Sequence, residues 1–174
     1  LLCMIVRRVT RFDPGRETIQ KLGTIVCYAM IVNVFFVFME FFTAFFSGIP
    51  SHAHPLRFLW FGLEHEGVMH APLVPYMWAA ATMGIAGIVL LLFPKLKRHE
   101  GWLALACALI FAAAWIDKGV GLIVGGLSVS PLETIAEYRP TAVELAITVG
   151  VYAIGALVLT LLYKIAVSVK EETA

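Results

Sequence analysis

The amino-acid sequence predicts an all-α integral membrane protein, organised as a four-helix transmembrane bundle. Hydrophobic residues make up 60% of the 174 residues and charged residues only 14%, whereas ordinary soluble domains are about 45–50% apolar. The apolar residues also form four continuous runs, each long enough for the about 20 helical residues that cross a hydrocarbon core. The runs are continuous and do not alternate, which argues against the strands of a membrane β-barrel.

The four predicted spans cover residues 22–47, 72–93, 102–124 and 141–167. Each run ends at helix breakers or charges: Gly48-Ile49-Pro50, Pro94-Lys95, Gly125-Gly126 and Lys170-Glu171-Glu172. Residues 1–21 are interpreted as the tail of a preceding helix followed by a cytoplasmic segment, and residues 171–174 as a C-terminal tail. We therefore expect the sequence to be part of a longer protein.

Lysine and arginine residues predict the orientation of the spans. The segment before the first span holds five of them, and the following segments hold one, three, one and two. Because cytoplasmic loops are enriched in Lys and Arg, both termini are predicted to be cytoplasmic, and the connections 48–71 and 125–140 to face outward. The net charge of +1 gives no dense basic face of the kind that nucleic acid requires.

Ionisable residues inside the predicted spans are the first functional candidates, because a charge in hydrocarbon costs several kcal/mol. We assign proton handling to Glu40, Asp117, Lys118 and Glu144. Glu40 and Asp117 each precede the glycine that ends their run by eight residues, which is about 12 Å of helix. Two interpretations remain open: a buried ion pair that fixes helix packing, and a proton relay or polar pocket wall. Three acids facing one base favour the second.

The histidines all lie outside the spans. His52, His54, His65 and His70 fall in the first outward connection and His99 in a cytoplasmic one. Their spacing matches no standard metal site, so no metal is assigned. Haem held between helices needs axial ligands inside the spans, and iron–sulfur clusters need grouped cysteines. Because the sequence offers neither, we expect no haem or iron–sulfur cluster in this chain.

The outward connections are also long and rich in aromatic residues, including Phe58, Trp60 and Phe61. Loops of this length are more often functional than idle. They are therefore predicted to dock an extracytoplasmic partner.

Several segments resemble the NrfD/PsrC family of membrane subunits of respiratory oxidoreductases, and within it the larger DsrP/HmcC/QrcD type. The segments that carry the resemblance are Asn33 to Gly48, Trp115-Ile116-Asp117-Lys118-Gly119, Ser130-Pro131-Leu132-Glu133, Glu137-Tyr138-Arg139-Pro140-Thr141, and Glu144. They are similar to the family's helix–loop–helix pattern near its C-terminus. The chain would then be about half of a subunit with eight to ten helices.

The resemblance implies a multi-pass subunit of a bacterial or archaeal cytoplasmic membrane that binds menaquinone or ubiquinone near its outer face. It implies partners as well: an extracytoplasmic iron–sulfur subunit that exchanges electrons with the quinone, and other membrane subunits. In the DsrP type the assembly is linked to sulfur metabolism. On this basis Asn33, His70 and Tyr138 are placed in the vicinity of the quinone, and the chain is expected to have no catalysis of its own.

A second interpretation stays open. In this family the quinone pocket is usually assigned to the earlier four-helix bundle. The chain would then be a proton-translocating or membrane-anchoring module that uses the same acids without its own quinone site.

Overall fold

The computed structural model describes residues 1–9, 15–65, 67–124 and 141–172. Four helices in these residues are long and apolar enough to cross a membrane. They are α2 (Arg16–Phe46), α4 (Val74–Leu92), α6 (Glu100–Trp115), which continues as the π-helical segment Ile116–Val124, and α7 (Ala142–Glu172). The chain is therefore an all-α integral membrane protein with four membrane-spanning helices, as the sequence predicts.

Shorter elements lie before and between the spans of the first compact unit, Leu1–Glu137. They are α1 (Leu2–Val9), α3 (Pro50–Trp60), the strands β1 (Leu63–His65) and β2 (Val68–His70), and α5 (Pro94–Lys97). The strands pair antiparallel, with Leu63 opposite His70. We call the end of this unit that carries α3 and the strands the hairpin end, and the end that carries α5 the lysine end. The second unit, Tyr138–Ala174, contains α7.

Helix α2 begins six residues before its apolar run, so Arg16 and Lys21 are helical. Two ion pairs support these charged turns. Lys21 Nζ lies 2.9 Å from Glu17 Oε1 one turn earlier, and Arg16 Nε lies 2.9 Å from Glu100 Oε1 on α6. The Arg16 and Lys21 side chains are exposed, so each pair contributes little to stability; the two pairs lie where the helix extends beyond the apolar run.

The close approach of α4 and α6 is explained by small residues. The buried positions repeat every three or four residues on both helices: Met77, Ala80, Gly84, Gly87 and Leu91 on α4, and Leu103, Ala106, Ile110 and Ala113 on α6. A Cβ atom on Gly87 would lie 2.5 Å from Ile110 Cγ1. Without a hydrophobic driving force inside lipid, such tight packing is what holds membrane helices together.

At the lysine end, a cluster of buried side chains joins α2, α4 and α6. Ile19 and Cys27 of α2 meet Leu103 of α6 there, and Cys3 and Met4 of α1 pack against the same cluster. The Lys97 ammonium donates a hydrogen bond of 2.7 Å to Thr24 Oγ1. The cysteines in this cluster serve as small apolar packing groups.

The first connection is folded rather than a loop. Leu56, Phe58 and Leu59 of α3 are buried. The Trp60 ring contacts the rings of Phe41 and Trp78, with centroids 5.3 and 5.6 Å apart.

Partner docking therefore does not account for all the aromatic residues of this connection. Phe58 is only 2% exposed, and Trp60 is half-buried; both stabilise the connection itself. Phe61, at 60% exposure, remains available to a partner.

Candidate functional site

A cavity of about 380 Å³ opens at the hairpin end between α2, α3, α4 and the π-helical segment. Its polar lining comes from three of these elements: Glu40 and Thr43 from α2, Ser51 and His52 from α3, and Asp117 and Lys118 from the π-helical segment. Its apolar lining includes Phe41, Leu59, Trp60 and Met77. The structure thus brings together three of the four residues assigned to proton handling from the sequence.

The π-helical segment positions Asp117 and Lys118. π-Helix is rare, and its usual single-turn form inside α-helices is frequently found at functional sites. Lys118 Nζ lies 2.9 Å from Asp117 Oδ2, with the lysine side chain 52% exposed and the aspartate 21%. Oδ2 is itself shielded from solvent and lacks a well-aligned hydrogen bond, so the contact is best described as an ion pair.

A glycine opens space beside this ion pair. A Cβ on Gly121 would lie 3.0 Å from Met77 Cε and 3.9 Å from Asp117 Oδ1. The missing side chain therefore keeps Asp117 open to the cavity.

Among the described residues, Glu40 is the acid of the cavity that has no cation beside it. Within the described part of the chain, no Lys or Arg lies in salt-bridge range of its carboxylate; Lys118 pairs with Asp117 instead. The neighbouring Thr43 hydroxyl donates to the Met39 and Glu40 carbonyls at 2.9 and 3.1 Å, so it is occupied by its own helix.

A second, apolar pocket adjoins the cavity, and we call it the side pocket. It has a volume of about 120 Å³. It shares Val37, Trp60, Met77 and Asp117 with the cavity and is otherwise lined by Met30, Asn33, Val34, Ala80, Ala81, Gly84, Ile85 and Ala113. Asn33, placed near the quinone from the sequence, therefore lies in the side pocket, and Asp117 lies where the two spaces meet.

The remaining candidates lie elsewhere. His70 is half-buried on β2 and does not line the cavity. Tyr138 falls outside the described residues. Among the residues that the structure describes, His, Cys, Asp and Glu form no group of three that could hold a metal ion.

Glu144 has a structural task at the start of α7. Its Oε2 accepts hydrogen bonds from the Thr141 backbone N–H at 2.6 Å and from the Thr141 hydroxyl at 2.9 Å, while its own N–H donates to Thr141 Oγ1 at 3.4 Å. This reciprocal arrangement is a capping box. It satisfies backbone groups at the helix start that would otherwise lack partners.

Sequence reasoning missed two of these features although their signals were present. Thr141-Ala142-Val143-Glu144 has the Thr-x-x-Glu pattern of a capping box. His52 was grouped with the other loop histidines, yet it follows Pro50, which starts α3 at the position where proline costs no hydrogen bond. The π-helical segment had no comparable sequence signal.

The comparisons with known proteins give one relative. The chain is 24% identical over 177 aligned positions to a protein of Halobacterium salinarum whose provisional name describes the membrane subunit of a dimethyl sulfoxide reductase. The alignment covers 91% of this chain and 39% of the relative, so the chain spans about two fifths of that protein's length. No protein-family model matches the chain. No solved structure matches it either.

Proposed function

We propose that this chain is part of the quinone-interacting membrane subunit of a respiratory oxidoreductase complex. The subunit exchanges electrons between the menaquinone or ubiquinone pool and an extracytoplasmic iron–sulfur subunit. The observation that carries the proposal is the joined pair of spaces at the hairpin end, one polar and titratable and the other apolar. The relative's name, which describes a membrane subunit of a reductase, supports the same class.

The chemistry of the two spaces suits a quinone. Ligand pockets usually measure about 300–1,000 Å³ and combine apolar walls with a few placed polar groups, and the cavity of about 380 Å³ meets both conditions. The Lys118 ammonium can donate to a quinone oxygen, and the carboxylates of Glu40 and Asp117 can accept from a quinol hydroxyl. The side pocket offers an apolar surface to the first part of an isoprenoid tail.

Oxidation of a quinol releases two protons and two electrons, and reduction of a quinone takes them up. In the proposal, Glu40 and Asp117 exchange the protons, because a carboxylate within hydrogen-bond reach of a quinol hydroxyl can act as a general base. The electrons pass to or from the iron–sulfur centre of the partner. Phe61, between α3 and β1, and Met69, on β2, are 60% and 64% exposed and offer a surface for that partner.

A competing function uses the same acids in a proton-translocating module without a quinone. The alignment covers only 39% of the relative. The quinone site of such a subunit can therefore lie in the part outside the alignment, which supports this alternative. The two functions differ in one measurable respect. Only the first requires a quinone-like ring to bind in this cavity.

Binding of a fluorescent hydroxyquinoline N-oxide, a quinol analogue, to the complete complex tests the proposal. We expect Lys118→Gln to weaken binding about 10-fold, the loss of roughly one charge-assisted hydrogen bond. Lys95→Gln, a matched change of an exposed lysine at the lysine end, should leave binding unchanged. Equal binding by the wild type and Lys118→Gln at equal yield would refute a quinone site here and favour the competing function.

A further inference from the structure

We infer that His52 carries protons between the cavity and the aqueous phase at the hairpin end, as the last protein group on the route from Glu40 and Asp117. The inference rests on the proposed function and adds to it a residue that sequence reasoning left among the loop histidines. His52 is exposed, yet it lines the same cavity as both carboxylates.

The path of α3 places His52 toward the mouth of the cavity. Arg57 lies over the ring of Phe45, 5.7 Å from its centroid, and Trp60 contacts the ring of Phe41. Helix α3 therefore runs back along α2, from its C-terminal end toward the level of Glu40. His52 precedes Trp60 by eight residues, which is about 12 Å of helix axis toward the mouth.

The cavity has one carboxylate, that of Glu40, which is not paired with a cation among the described residues and which a further titratable group could neutralise. Asp117 is neutralised by Lys118 at 2.9 Å, whereas Glu40 has no such cation among the described residues. These three line the same cavity as His52, from α2 and the π-helical segment, and Met77 of α4 adds apolar lining. A proton taken up by His52 would offset the charge of Glu40.

Imidazole chemistry suits this position. A neutral imidazole has one nitrogen that accepts a proton and one that donates a proton, and histidine is the side chain whose ordinary pKa lies closest to neutral pH. His52 can therefore accept a proton from the cavity side and release one to water. Ser51 and Thr43, which also line the cavity, do not change charge near neutral pH.

Chemical rescue of His52→Ala in the complete complex tests the inference. We expect quinol-linked turnover at saturating quinol and low buffer concentration to fall about 10- to 100-fold, the lower part of the range for lost acid–base groups. Added imidazole should restore turnover in a saturable way, with a pH profile that follows the titration of imidazole. Pyrazole has a similar ring but takes up no proton near neutral pH, so it should not restore turnover.

His54→Ala is the matched control, since His54 lies on the same helix but does not line the cavity; imidazole should not change its turnover. The inference is overturned by normal turnover of His52→Ala, by equal rescue with pyrazole, which would mean space filling, or by a loss that imidazole does not restore. If Glu40→Gln and Asp117→Asn also turn over normally, the proposed function itself fails. If they are slow while His52→Ala is normal, only the role of His52 fails.

Discussion

At the scale of single residues, the two acids of the cavity differ in whether Lys118 forms an ion pair with them. Lys118 pairs with Asp117, its neighbour in the chain, and not with Glu40. The sequence could place both acids and the lysine at a similar depth, because helical rise is constant. It could not choose the partner, since that choice depends on the local π-helical backbone.

Because Lys118 pairs with Asp117, a substitution of Glu40 tests proton handling without breaking an ion pair. Glu40→Gln keeps the shape of the side chain and leaves the ion pair of Lys118 intact, so complex yield should be normal. We expect quinol-linked turnover to fall by about 10- to 1,000-fold, around the range for removal of an acid–base group. Glu17→Gln, at the lysine end, is the control and should retain full turnover. Normal turnover at normal yield would remove Glu40 from the mechanism.

Glu144 is expected to stabilise the start of α7 through its capping box with Thr141. Thr141→Ala should cost about 1 kcal/mol of local helix stability, and amide hydrogen exchange over residues 142–145 should accelerate about fivefold. Glu144→Gln should show near-normal exchange and turnover, because glutamine also serves in a capping box. Slow turnover of Glu144→Gln with normal exchange would instead assign proton handling to Glu144, as the sequence alone suggested.

At the scale of elements, hydrophobicity and helix breakers predict the four spans well. They do not predict where a helix extends beyond its apolar run or where it changes to π-helix. Helix α2 begins at Arg16 and α6 changes to π-helix at Ile116. The start of α2 is accompanied by a contact between helices, the ion pair of Arg16 with Glu100, which a single run of sequence does not display. The same reason applies to α3, whose Trp60 packs against the rings of Phe41 and Trp78 on other helices.

The contact between α4 and α6 predicts a strong effect at Gly87. Gly87→Ala would place a methyl group 2.5 Å from Ile110 Cγ1 and 3.2 Å from the Ala106 carbonyl oxygen, so one helix must shift. Overpacking of this kind typically costs about 1–3 kcal/mol. Thermal unfolding in detergent should occur several degrees lower than in the parent protein. Gly101→Ala, whose Cβ would meet no atom within 4 Å, should not lower it; equal effects of both changes would contradict the packing account.

At the scale of the whole molecule, the distribution of lysine and arginine predicts that the lysine end is cytoplasmic. Cysteines introduced at Met69, 64% exposed on β2, and at the exposed Lys95 of α5 should report opposite sides. An impermeant maleimide should label Met69→Cys in intact cells and Lys95→Cys only after lysis. The parent protein, with its three native cysteines, gives the background. Labelling of Lys95→Cys in intact cells would reverse the orientation.

The central claim is that the cavity at the hairpin end holds the ring of a quinone, and photoaffinity labelling of the complete complex tests it most directly. A photoreactive azidoquinone should label peptides of α2, α3 and the π-helical segment that line the cavity, and excess native quinone should suppress this labelling. Ala81→Leu, which narrows the side pocket, should reduce labelling at normal yield. Labelling confined to other subunits, or to parts of the subunit outside this chain, would contradict the account.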